Sequence, residues 1–200
     1  MEKYFTAKRI AFLSVFTAAV LVTTMFVKFP NPVMGYTNFG DAFILLGAMC
    51  FGPVFAMISG GIGSALADVI SGYAMYAPFT LLVKGLEGFI AGVLLRALLK
   101  AKLNRHAAVL LSAAIAACEM ILGYFLTNAI LYGGFASATG GLLTDGIQGA
   151  VGVIGAYIFT LVLAGVKDFD KYTENPLSRA AKKAAHTNAE EKHDEDHPSE

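Results

Sequence analysis

Apolar residues fill this chain in long blocks, broken at intervals by Pro, Gly or charge. The first block is residues 9–27, headed by Lys8 and Arg9. It is too long for a usual signal-peptide core and lacks a small-residue cleavage site, so it reads as a retained first helix. A loop with two prolines and two glycines follows at 28–40, and a second apolar segment starts at Asp41. Gly52-Pro53 predicts a turn, because proline suits the first turn of a helix. The second helix is then short, about 16 Å at 1.5 Å per residue, against the roughly 20 residues a full span needs. A turn at Gly60-Gly61 is the alternative. The earlier turn leaves a full-length third helix at 54–71 and returns Asp41 and Asp68 to one side. The pattern continues with a loop at 72–78, a fourth helix at 79–101 and a fifth at 106–131. A Gly-rich loop at 132–144 leads to a sixth helix from Asp145 to Val166.

Composition turns this pattern into a class. The 200 residues are 56% hydrophobic and 15% charged, with mean hydropathy +0.61; soluble domains carry about 25% charged residues. An all-α membrane protein follows, a six-transmembrane-helix bundle in a single domain over residues 1–170. The hydrophilic stretch 171–200 reads as a disordered tail, its three histidines irregularly spaced among acids and offering no metal site. Net charge is zero, so nothing argues for nucleic acid. Cys50 and Cys118 lie in apolar segments and read as buried small hydrophobes. Basic residues cluster before the first helix, between the fourth and fifth (Arg96 to Arg105), and after the sixth at Lys167. The positive-inside rule then places both termini in the cytoplasm and the loops at 28–40, 72–78 and 132–144 outside.

Ionisable groups inside apolar segments are costly and mark interior sites. Asp41 opens the second helix, either as an acid at a helix N-terminus or as a ligand acceptor. Asp68 ends the third, just before Tyr73, as a ligand contact, an interfacial acid or a brace to Lys84. Lys84 and Glu87 are three apart and share a face, which predicts an internal ion pair. Asn128 lies in the outer third of the fifth helix, and Asp145 and Gln148 at the outer end of the sixth; amides both donate and accept. Glu119, near the middle of the fifth helix, is the one such group outside the outer half. Tyr36, Phe39, Tyr76, Phe79, Tyr132 and Phe135 crowd the outer loops, as an interfacial belt or a stacking surface. Small residues recur at helical spacing, and such residues permit close packing. No HExxH, GxSxG or Walker A motif is present, so an enzyme is not expected and any uphill transport needs outside energy.

The strings NFGDAFILLGAMCFGP and SGGIGSALADVISGYAMYAPFTLLVKGLEGFIAG, with the six-span layout, resemble the substrate-binding S-components of energy-coupling factor (ECF) vitamin transporters, the riboflavin-type branch above all. The resemblance covers residues 8–167. It implies a cell-membrane protein of a prokaryote that captures a vitamin or precursor and carries no cofactor. It also implies assembly with a transmembrane coupling protein and two cytoplasmic ATPases, and uptake by ATP-driven reorientation of the whole subunit. The family's pocket maps here onto Asn38, Lys84, Glu87, Asn128, Asp145 and Gln148. Its helix-one docking pattern, often Ala-x-x-x-Ala, maps onto Ser14 and Ala18, with Ala11 beside them. Five membrane acids against one lysine favour a neutral or weakly basic ligand: riboflavin, pyridoxine or a hydroxymethylpyrimidine. The competing readings are a self-sufficient proton-coupled carrier using Glu119 or Asp68, and an intramembrane enzyme or structural subunit.

Overall fold

The computed structural model describes residues 7–30, 36–166 and 173–178. Its helices are α1 (Ala7–Phe26), α2 (Gly40–Phe51), α3 (Pro53–Ile70), α4 (Ala77–Lys100), α5 (Arg105–Leu131), the short α6 (Phe135–Ala138) and α7 (Leu142–Ala164). The protein is an all-α membrane protein. Four helical segments among the described residues are long and apolar enough to cross a bilayer: α1, α3, α5 and the stretch Phe135–Ala164. α4 has the length, 24 residues, but carries Lys84, Glu87, Arg96 and Lys100. α2 has only 12 residues.

Two loops hold structure that the apolar pattern did not predict. The segment expected to be a plain loop at 28–40 contains an antiparallel pair, β1 (Lys28–Pro30) and β2 (Tyr36–Asn38), with Lys28 opposite Asn38. The loop expected at 132–144 contains α6 and a 3₁₀ turn, Thr139–Gly141. Short hydrogen-bonded elements of this kind leave no apolar periodicity to read. α7 also begins three residues before Asp145, and α4 two residues before the expected start. Lys84 is therefore about 10 Å into its helix rather than about 8 Å.

The α2–α3 turn falls at Gly52-Pro53. Gly52 has φ 91°, a conformation glycine reaches without a Cβ clash, and Pro53 occupies the first turn of α3. This turn makes α2 the hub of the bundle. Every residue of α2 except Phe43 is buried, with α1, α3, α4 and α7 packed around it. A helix that is apolar all round belongs in an interior. α3 and α4 share the most extensive helix–helix contact among the described residues. A Cβ at Gly92 would stand 2.6 Å from Pro53 Cα, and one at Gly88 2.7 Å from the Ala56 carbonyl; only glycine lets the backbones approach this far.

A buried apolar layer in the bundle includes Leu45, Met49, Leu95, Val109 and Ala113. Phe51 stacks on Phe55 at 4.3 Å between ring centroids, with Phe12 and Phe16 against them. The outward faces expose large apolar side chains such as Leu82, Leu122, Ile130, Leu143 and Val162. That surface suits hydrocarbon, whereas on a monomeric soluble protein so much exposed apolar area is rare. Cys118 lies on this face, contrary to its reading as a buried residue, while Cys50 is buried.

The region after α7 also departs from expectation. Residues 173–178 fall in the stretch read as disordered, yet Asn175, Leu177 and Ser178 are buried against the bundle. The rest of that stretch lies outside the described residues, apart from those six.

Candidate ligand-binding site

The site grows from the first turn of α2. Asp41 is fully buried there, although it lies in the first turn of its helix, because α7 packs against it. Lys84, on the inward face of α4, donates to Asp41 Oδ1 and to Glu87 Oε2, the latter at 3.0 Å. Lys84 is 1% exposed and both carboxylates 0%. The i, i+3 spacing thus does form an ion pair, and the tertiary fold adds Asp41 as a second partner. Asp68 does not bridge to Lys84, whose ion-pair partners are Asp41 and Glu87; the brace considered from sequence is not formed. Asp68 is buried near the end of α3, and its backbone carbonyl accepts from Tyr73 N at 2.8 Å across the α3–α4 turn. Tyr73 is half-buried in that turn.

α7 closes the cluster from the other side. Gln148 Nε2 donates to Asp41 Oδ2 at 2.9 Å, and Gln148 Oε1 accepts from Asn38 N at 2.9 Å. One amide thereby ties the end of β2 to the charged cluster. Asn38 Oδ1 accepts from Gly40 N at 2.9 Å and shapes the entry to α2. One turn beyond Gln148, Gly152 lets α7 lie against Asp41: a Cβ there would stand 2.7 Å from Asp41 Cβ. Asp145, buried one turn before Gln148, is within electrostatic reach of Lys84 and Asp41.

A second, uncharged cluster stands beside the first. Tyr76 OH donates to Asn128 Oδ1 at 2.7 Å and contacts Tyr132 OH at 3.0 Å. Tyr124, one turn before Asn128, links the two clusters. Its ring centroid is 5.5 Å from Lys84 Nζ, and its hydroxyl donates to Thr80 Oγ1 at 3.3 Å. Sequence reasoning passed over Tyr124 and Thr80, and read Gly152 only as one of several packing glycines on the sixth helix. The signal was register: Thr80 is four residues before Lys84, Tyr124 four before Asn128, and Gly152 four after Gln148.

The charge balance of the first cluster is uneven. Two carboxylates face one ammonium, and Glu87 Oε1 is buried with no hydrogen-bond partner among the described residues. A buried acceptor in that state costs free energy until a donor arrives. Glu119, half-buried on α5, is within electrostatic reach of Lys84 and Glu87, and its Oε2 is likewise without a hydrogen-bond partner among the described residues. Chemically the region offers acceptors for N–H or O–H groups, phenol and amide groups that donate and accept, and aromatic rings. No group of three or more metal-ligating side chains occurs among the described residues.

On α1, Ala11, Ser14 and Ala18 are exposed along one stripe, remote from these clusters. Ser14 Oγ donates within the helix, to Ile10 O at 3.1 Å. These small residues share the exposed side of α1 with Ile10, Val15 and Val22.

Comparison with known proteins gives three matches. The family model for "ECF-type riboflavin transporter, S component" matches residues 4–165. The "Uncharacterized protein in gap 3'region" of Pyrococcus woesei is 42% identical over 137 residues, 68% of this chain and 88% of that protein. The thiamine precursor transporter HmpT of Lactococcus lactis subsp. cremoris is 28% identical over 155 residues, 76% of this chain and 86% of HmpT.

Proposed function

The chain belongs to the family of ECF-type riboflavin transporter S components, a transporter family rather than an enzyme class, and from that premise we propose how it works and what it takes. It captures a neutral or weakly basic nitrogen heterocycle of vitamin or precursor type: riboflavin, a hydroxymethylpyrimidine or pyridoxine. It spans the plasma membrane of a prokaryote six times, with α2 and α4 completing the set of spans and both termini cytoplasmic. The membrane domain is residues 1–170, with a hydrophilic cytoplasmic tail behind it. A transmembrane coupling protein and two ATPases drive its reorientation, and the coupling protein docks on the stripe of Ala11, Ser14 and Ala18.

One observation carries the choice of ligand class. The buried cluster has a surplus of acceptors, and Glu87 Oε1 has no donor among the described residues. A ligand bearing ring N–H, amino or hydroxyl groups supplies that donor, whereas an anionic ligand would add to the surplus charge. In this reading Glu87, Asp41 and Asp145 accept from the ligand or hold the groups that do. Lys84 balances their charge. Asn38 and Gln148 tie the β1–β2 hairpin to the site, and Asn128 and Tyr76 read the ligand's mixed polar edge. Tyr73 and Asp68 border the entrance. The named activity of HmpT, thiamine precursor transport, supports the pyrimidine member of the class, and the family's description supports riboflavin.

The test is to purify the chain alone, identify by mass spectrometry the small molecule that travels with it, and titrate the emptied protein with riboflavin, hydroxymethylpyrimidine and pyridoxine. Tight binding of one of them is the expected result. Vesicles holding only this chain that accumulate the ligand on a proton gradient would instead establish a self-sufficient carrier, with Glu119 as the relay group.

A further inference from the structure

The far end of the bundle, away from the site, raises a problem that the sequence after α7 solves. α2 stops after 12 residues, so its C-terminal carbonyls end inside the protein. Backbone acceptors at that depth require partners. Ala48 O receives Gly52 N at 3.1 Å, closing the turn locally. Two of the later carbonyls are served from residues near the two ends of the chain. Arg9 donates to Phe51 O at 2.8 Å, and Glu174 N donates to Cys50 O at 2.6 Å.

Residues 173–178 do more than cap α2. Asn175 is fully buried: its Nδ2 donates to Thr160 O of α7 at 3.0 Å, and its Oδ1 accepts from Leu177 N at 3.0 Å and Ser178 N at 3.4 Å. Leu177, 3% exposed, completes the apolar layer formed by Leu95, Val109 and their neighbours. Arg105 at the start of α5 donates to Pro176 O at 2.8 Å. Arg96 of α4 pairs with Glu174 at 3.1 Å. Six residues thus touch α2, α4, α5 and α7. The Arg96–Glu174 pair is about half exposed and adds little, because solvent screens such pairs. The hold comes from the buried leucine and from the buried asparagine with its three side-chain hydrogen bonds.

We infer that residues 173–178 are a latch: a strap that fills the space left by the short helix α2 and seals the far end of the bundle, so that its release opens a path to the end of α2 while the helices stay folded. This rests on the fold and is independent of which ligand the protein binds.

The protein supplies its own reporter. Cys50 lies at the end of α2, its backbone carbonyl capped by the strap and its side chain buried among Leu46, Phe51 and Phe55, and Cys118 is the one other cysteine. In the full chain carrying Cys118→Ala, in detergent, Cys50 should resist N-ethylmaleimide. Asn175→Ala and Leu177→Ala should each raise its labelling rate about tenfold or more, because local opening governs access to a buried thiol. Leu177→Val and Asn175→Ser serve if either first variant fails to accumulate. A second reporter, Ser64→Cys in a chain lacking both native cysteines, lies buried on α3 and should stay unreactive throughout. Cys50 labelling within about twofold of the parent in the strap variants would overturn the inference. So would parallel labelling at position 64, which would make the strap a general stability element.

Discussion

Lys84→Met is the most informative single change. Lys84 is 1% exposed and its two carboxylate partners are fully buried. Methionine keeps most of the side-chain volume and removes the charge, stranding two acids inside the bundle. Breaking a buried pair by removing one partner costs about 3–5 kcal/mol. At about 2–4 °C per kcal/mol for a domain of this size, the midpoint of thermal unfolding should fall by about 6–20 °C. Glu87→Gln is the matched control. It leaves the Lys84–Asp41 pair intact, retains a carbonyl acceptor and removes the surplus negative charge, so stability should change by less than about 1 kcal/mol. Ligand binding should respond in the opposite sense. Glu87→Gln removes a charged acceptor whose hydrogen bond to a donor is worth about 1.5–3 kcal/mol, which weakens affinity by about tenfold or more. Both variants are measured by nanoscale fluorimetry in detergent and by titration with the co-purifying ligand. A Lys84→Met midpoint within about 2 °C of the parent, with Glu87→Gln the more damaging, would refute the assignment of Lys84 as the group that balances the cluster.

Other outcomes follow from the same geometry. Gly152→Ala places a methyl 2.7 Å from Asp41 Cβ; overpacking of this kind costs about 1–3 kcal/mol, and both the unfolding midpoint and ligand affinity should drop. Tyr76→Phe removes the donor to Asn128 Oδ1; interhelical hydrogen bonds in membranes are worth about 0.6–2 kcal/mol, and Asn128→Ala on top of it should add little if the two act as one unit, as a double-mutant cycle would report. Leu at Ser14 and Ala18 should abolish cellular uptake with the coupling partners present while binding by the isolated protein persists; weakened binding in a well-folded variant would count against the docking stripe. Gln148→Leu should loosen the link between Asn38 and Asp41, speeding ligand release in stopped-flow measurements more than it slows capture.

The sequence by itself determined the class, the order of the helices and the short second helix. Apolar runs of spanning length have few fates, and Gly52-Pro53 is a stop whose local chemistry needs no partner. The Lys84–Glu87 pair was legible for the same reason, since i, i+3 neighbours on a helix meet whatever surrounds them. Tertiary structure decided the rest. Asp41 and Lys84 lie on helices separated by the whole of α3, and only their packing makes Asp41 the second anion of the cluster. Gln148 joins it because Gly152 permits α7 to lie close, a contact that no local pattern encodes. Asp68 has the same charge and nearly the same apolar setting as Asp41, yet it does not pair with Lys84. The difference lies in which helix face each occupies once α2 has become the hub. Residues 173–178 read as polar tail because their composition is polar. They are buried because α2 ends early and leaves carbonyls and an apolar layer to be covered, a demand visible only when the bundle is assembled.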